Sequence, residues 1–247
     1  MVALFSRRLR PVWEFTPGLP LWRLHPPVNG RIIGEVRDPE AKRASFFALN
    51  AATGVCLWRD RELHDSWWVA IERVAGDTLV LHGFQSPDYP VPRGVTVVNM
   101  LTGAVVWSDA QWTGDETALA NAGVDLSGAG SAVEAIFPVA HDPHDLHDPG
   151  SAQNVVLAKW PIDAVVGPME TADKGDHTVV AAHVKSDRSN DASLKHLLKV
   201  HDAQTGKILF EDTLVAAAKG IAPDAFFIHE GMLFYIRERA TLCAVKL

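Results

Sequence analysis

Basic charge is scarce in this chain. Its 247 residues carry 23 lysines and arginines against 30 aspartates and glutamates, a formal net charge of −7. Nucleic-acid binders ordinarily present a basic face, so no nucleic-acid partner is expected. Cysteine is almost missing: Cys56 and Cys243 are the only two. They form no metal motif, and nothing suggests export, so no disulfide is expected. No apolar run reaches the length of a membrane-spanning helix. The arginines between Met1 and Arg10 lead into no apolar stretch, and no lipid-attachment cysteine lies near the start, so neither a signal peptide nor membrane insertion is expected. These absences point to a cytoplasmic protein, expected to be a monomer. Aromatics make up only 8% of the residues, yet eight of them are Trp. With 47% hydrophobic and 21% charged residues the chain has ordinary globular usage, which excludes a disordered tail, a collagen or a coiled coil.

What the chain does have is repetition. Residues 47–58 read FALNAATGVCLW, 96–107 read TVVNMLTGAVVW and 199–210 read KVHDAQTGKILF. Each is an apolar run, an Asn or Asp, two residues, Thr-Gly, and a second apolar run ending in an aromatic. Asn and Asp side chains bond their own backbone two residues on and start turns. Gly54, Gly103 and Gly206 can take the positive φ that such a turn requires. The flanks are rich in residues that suit buried strands, so each copy is expected to be a β-hairpin. Thr53 and Thr102 are 49 residues apart, Thr102 and Thr205 are 103 apart. A degenerate copy is therefore expected near Val155 to Met169.

A turn and a further strand precede the hairpins: Asn29-Gly30 before RIIGEV, Gly76-Asp77 before TLVLHGF, Asp176-His177 before TVVAAHV. Glu230-Gly231 stands before MLFYIRE near the end. Four strands per unit of roughly 40–50 residues is the blade of a β-propeller. The length allows about five such units. The last strand, TLCAVKL, stops one strand short. Val12-Trp13-Glu14 resembles the strands around Trp58, Trp107 and Phe210, so the first strand is expected beside the last, closing a ring and removing two exposed sheet edges. The expected fold is all-β, a single propeller domain over residues 1–247 with about five four-stranded blades. An open β-sandwich or a split barrel is the alternative.

The repeats resemble those of the PQQ-like propeller superfamily, whose hairpin reads ALD-x-x-TG-x-x-x-W. The stretch from Leu21 to Trp107 looks like a bacterial domain family of unknown function that carries such repeats. The matching segments include LWRLHPP (21–27), EVRDPE (35–40), SFFALNAATG (45–54), the SWWVAIE run from Ser66 to Glu72, LHGFQSPDYP (81–90) and GVTVVNMLTG (94–103). That resemblance implies a fold and carries no activity. The superfamily's quinoprotein dehydrogenases use eight blades, adjacent cysteines and a calcium-bound cofactor. This chain is too short for eight blades and its cysteines are far apart in sequence, so no PQQ and no other cofactor is expected.

Function would then sit on loops. The loops RDPEAKRAS (37–45), QSPDYPVPRG (85–94) and KSDRSNDASLKH (185–196) differ in sequence and are expected on one face, with LWRLHPP, HDSWW (64–68) and AQWTGDE (110–116). An exposed tryptophan beside an arginine makes a good interaction anchor. The candidate partner-binding residues are Trp22, Arg37, Arg43, Trp67, Trp68, Tyr89 and Arg93. If Trp67-Trp68 lie on a strand they point to opposite faces, one inward and one outward. Residues 141–148 read HDPHDLHD, and His141, His144 and His147 offer imidazoles of the kind that bind zinc and similar ions. The bland reading is a solvated loop. No nucleophile motif is present. His82 and His183 are read as occupying comparable places in two units, where they would face a central channel. The expected function is a non-catalytic scaffold with a protein partner on the loop face. The competing reading is an enzyme or small-ligand protein with a site in the central channel, with or without a metal.

Overall fold

The computed structural model describes residues 8–62, 66–86, 89–124, 135–143, 152–157, 159–186 and 193–247. The chain divides into two compact units, residues 16–134 and residues 1–15 with 135–247. The fold is all-β: four antiparallel sheets of four or five strands, with short helical turns between them.

In the unit of residues 16–134, one sheet has the order β2 (Leu21–Val28), β3 (Arg31–Asp38), β4 (Arg43–Asn50), β5 (Cys56–Glu62). The next has β6 (Val69–Ala75), β7 (Thr78–Ser86), β8 (Tyr89–Asn99), β9 (Val105–Asp109). A buried cluster that includes Ile33, Phe46, Ala48, Trp58, Leu79, Leu81, Val98 and Met100 joins the two sheets. In the other unit, the strands β10 (Val139–His141), β11 (Met169–Lys174), β12 (His177–Lys185), β13 (Leu194–Asp202) and β14 (Ile208–Ala218) form a five-stranded sheet in chain order. The fourth sheet holds β15 (Phe226–His229), β16 (Met232–Arg237) and β17 (Thr241–Lys246), completed by β1 (Pro11–Phe15). Strand β1 pairs with β17, as the likeness of Val12-Trp13-Glu14 to the later strands suggested. Arg237 donates to Glu14 of β1 at 2.6 Å and to Asp212 of β14 at 3.2 Å, and the Tyr235 hydroxyl donates to Asp212 at 2.6 Å, so these bonds also join this sheet to the five-stranded one.

The three Thr-Gly turns are the same object three times. One carboxyl or amide oxygen, from Asn50, Asn99 or Asp202, accepts from the backbone N–H two and three residues on and from the threonine hydroxyl. The glycine N–H then donates to the carbonyl of the same Asn or Asp at 2.8 Å in all three. The residue after it donates to the preceding turn: Ala51 to Gly30, Met100 to Asp77, Ala203 to Asp176. So the two turns of each repeat are hydrogen-bonded to each other, and local chemistry fixes the register of the strands between. Gly103, at φ +68°, is required twice over, because a Cβ there would stand 2.8 Å from the Trp58 ring. Trp58 in turn donates its indole N–H to the Met100 carbonyl at 2.8 Å. The aromatic that ends one repeat thus seats on the turn of the next.

Four sheets stand among the described residues where about five units were expected. The expected copy near Val155 to Met169 is not a hairpin. It is a helix, α2 (Ala152–Leu157), followed by a 3-10 turn at Ile162–Ala164. No Asn/Asp-x-x-Thr-Gly sequence is present there to make the turn. Val156, Leu157 and Trp160 lay this segment on Met169, Val180, Ala182 and Val184. A second short helix, α1 (Glu116–Asn121), begins at Asp115, whose side chain accepts from the Thr117 N–H. It buries Leu119 with Trp112 against Val80, Val95 and Val97.

Candidate functional site

The site builds around Arg37, near the end of β3. Strand β3 runs Ile32 to Val36 fully buried, and Glu35 sits in that run with 1% of its surface exposed. A lone buried carboxylate is costly unless paired. Arg37, two residues on and therefore on the same face, meets it through Nε at 2.6 Å. Burial raises the Glu35 pKa, opposed by the Arg37 hydrogen bond and charge and by Arg23, which stands opposite Glu35 on β2.

The Arg37 guanidinium lies over two indoles. Its Cζ lies 4.8 Å from the Trp22 ring centre and 5.1 Å from that of Trp67. The place of each indole has a backbone cause. Leu21 pairs with Val36 and Arg23 with Glu35, so Trp22 is an extra residue in a β-bulge, and bulges re-aim side chains. Trp67 sits on a 3-10 turn, Ser66–Trp68, leading into β6. Arg37 also donates from Nη2 to the carbonyl of Val69 at 3.3 Å, fastening this turn to the sheet. Trp68 meets Trp67 edge-on, with ring centres 6.5 Å apart. Trp22 remains 59% exposed and Trp68 43%.

Four of the expected partner-binding residues, Trp22, Arg37, Trp67 and Trp68, therefore form one cluster. The Trp67-Trp68 pair is not on a strand, so strand alternation does not govern it. Arg93 is exposed, and its main chain comes close to that of Trp68: a Cβ on Gly83 would lie 2.8 Å from the Arg93 carbonyl oxygen and 3.6 Å from that of Trp68. Arg43 stands opposite Asp38, whereas Arg37 stands opposite Ala44. Cross-strand partners share a face, so Arg43 lies on the other face of the sheet from Arg37. Tyr89 begins β8, and its side chain lies outside the described residues. Sequence reasoning missed Glu35, although a carboxylate inside RIIGEV two places from an arginine is the signal that would have found it.

His82 and His183 are not equivalent. Thr78 stands opposite Asn99 and His177 opposite Asp202. With the two turns superposed, His82 therefore corresponds to Ala181. His82 is buried and its Nδ1 lies 2.6 Å from a Glu72 carboxylate oxygen. His183 stands opposite His196, their rings stacked at 3.8 Å. Burial lowers both pKa values, that of His196 to about 3 with the neighbouring His183 adding to the effect. Burial thus favours the neutral form of both rings in the stack. His201, fully buried, accepts from the Trp160 indole N–H and bonds the Gly206 carbonyl through Nδ1, which fixes its tautomer.

Of the three histidines considered for a metal, His144 and His147 lie outside the described residues. His141 ends β10 beside a cavity of about 340 Å³ that Asp142, Val165 and Gly167 help to line. No group of three or more His, Cys, Asp or Glu side chains placed to hold a metal occurs among the described residues. A larger groove of about 680 Å³, in the unit that contains β14, is lined in part by Lys185, Lys195, Glu211, Asp212 and Glu238. Its carboxylates are already engaged, Asp212 by Tyr235 and Arg237, Glu211 by Lys199, Glu238 by the Ala216 N–H. Cys56 and Cys243 are free thiols, and burial pushes Cys243 up to about 11, far from the range of a reactive thiolate. No helix among the described residues is long and apolar enough to cross a membrane.

A family described as a domain of unknown function (DUF4905) matches residues 27–107, a segment that holds Arg37, Trp67 and Trp68 and begins after Trp22. No curated protein matches the chain. Among solved structures, a eukaryotic initiation factor shares 11% identity over 90% of this chain and 50% of its own, at a TM-score of 0.26. A europium-containing methanol dehydrogenase shares 13% over 95% and 52%, at 0.21. A quinohemoprotein alcohol dehydrogenase from Pseudomonas putida HK5 shares 12% over 100% and 45%, at 0.22. The chain spans about half the length of these structures, and likenesses this low carry no argument about its activity.

Proposed function

We propose that this chain is a non-catalytic scaffold that docks a protein partner on the surface around Trp22, Arg37, Trp67 and Trp68, with Arg93 at its margin. We also propose that its sheets are blades of one propeller of PQQ-like repeats, a rigid frame for that surface. The observation that carries the docking reading is the cluster of Arg37 with Trp22 and Trp67, over whose rings its guanidinium lies. Tryptophan and arginine are enriched at the energetic centres of interfaces. Here the arginine is held by a buried carboxylate, while Trp22 beside it and Trp68 beyond Trp67 both remain exposed. Such an anchor is ordered before binding, so little side-chain entropy is lost on docking. The test is a comparative affinity purification with the wild-type chain and the Trp22→Ala/Trp68→Ala variant as baits. A protein retained by the first and lost from the second supports the reading. Equal retention on both baits, or none on either, contradicts it.

A further inference from the structure

We infer that the free edge of Arg37 is a receptor for a carboxylate, an aspartate or glutamate side chain flanked by apolar residues in the partner. This rests on the docking reading above and names the chemistry the partner must bring. A guanidinium has five N–H donors. Nε is taken by Glu35 and one Nη2 hydrogen by the Val69 carbonyl. The Nη1 pair and the second Nη2 hydrogen have no acceptor among the described residues. The rings of Trp22 and Trp67, 4.8 and 5.1 Å from Cζ, occupy space against the guanidinium. The way in that the unused donors offer a ligand is the terminal edge, where Nη1 and Nη2 stand side by side. That edge matches the two oxygens of a carboxylate.

Charge favours the same ligand. Glu35 balances Arg37, and Arg23, exposed and opposite Glu35, leaves this face of the sheet with a positive excess. The exposed indoles of Trp22 and Trp68 beside the edge call for apolar neighbours on either side of the acid. An arginine is needed for this, because lysine has neither the planar fork nor the stacking surface.

The experiment is selection from a displayed library of random dodecapeptides on the wild-type chain, with counter-selection on Arg37→Lys. The enriched peptides are expected to carry an Asp or Glu between apolar residues. Converting that acid to its amide in a synthetic peptide should weaken binding about tenfold or more. Trp22→Ala, at an exposed position that does not bear on folding, should weaken it as well. If the amide peptide binds as well as the acid, but Trp22→Ala still weakens binding, the carboxylate inference falls and the docking surface stands. If no peptide enriches over the Trp22→Ala/Trp68→Ala variant, or if oligo(dT) of twelve nucleotides binds in place of peptides, both fall.

Discussion

The two units solve the same problem, a polar group buried between sheets, in opposite ways. Between residues 16 and 134 the buried charge is Glu35, held by an arginine that itself lies over the rings of two tryptophans. Lys42 is the only lysine in that stretch; every other cation is an arginine. In the unit that contains residues 135–247 the buried polar groups include His183, His196 and His201, all pushed toward the neutral form by burial. In the first device the arginine keeps its charge at any ordinary pH, because arginine does not deprotonate, and the partner that can titrate is Glu35, whose pKa burial raises. The second depends on imidazoles staying neutral. One unit is latched by a carboxylate on an arginine, and the other by histidines that acid would charge.

Breaking the latch should have the largest effect. Arg37→Ala strands a carboxylate with 1% exposure, and removing one partner of a buried ion pair costs about 3 kcal/mol. Urea unfolding at pH 7 should show that loss, and the added substitution Glu35→Gln should restore most of it. Retention of wild-type stability by Arg37→Ala alone would mean that Glu35 is already neutral.

Acid should act on the other unit. A histidine with a lowered folded pKa contributes stability that is present above its unfolded pKa, about 6.5, and lost as pH falls toward its folded value. For His196, with a folded value of about 3, the loss reaches about 2 kcal/mol by pH 5. His183 shifts the same way and adds to it. Urea midpoints between pH 7 and pH 5 should therefore fall, and His196→Phe should flatten that fall. An unchanged slope in the variant would remove the histidine stack from the account.

The turns are where the two units agree. Asn99→Ala removes an acceptor for two backbone N–H groups and a threonine hydroxyl, at a cost of about 1 kcal/mol. Asp202→Ala should destabilise in the same direction at pH 7. The hydrogen bonds of Thr205 lower the Asp202 pKa, so its contribution should also fade as pH drops through that lowered value, which the uncharged Asn99 cannot do. The smallest effect belongs to Trp22→Ala. At 59% exposure it should change stability by less than about 0.5 kcal/mol, while peptide or partner binding is lost.

These turns were legible in the sequence because their chemistry is local: acceptor, two residues, hydroxyl, glycine. The pairing of β1 with β17 was legible because Trp13 lies in a strand like those that follow the turns. The stretch from 111 to 168 was not, since without that turn signature periodicity had nothing to count. Its one local clue was Asp115 ahead of Glu116, the start of a helix. At the site, exposed tryptophans near arginines could be proposed from sequence, but which arginine could not. That choice depends on a bulge at Trp22 and on the register of β3 against β4, both set by pairing across strands. The His183–His196 stack is hidden for the same reason, since only the hairpin register places position 196 opposite 183.

The most direct test of the central claim is calorimetry with a captured, purified partner against the wild-type chain, Trp22→Ala, and Ile208→Ala as an exposed control in the other unit. The account predicts at least tenfold weaker binding for Trp22→Ala, the loss expected of an interface anchor, and none for Ile208→Ala. Unchanged binding with Trp22→Ala, together with a loss at Ile208→Ala, would contradict it and move the docking surface to the other unit.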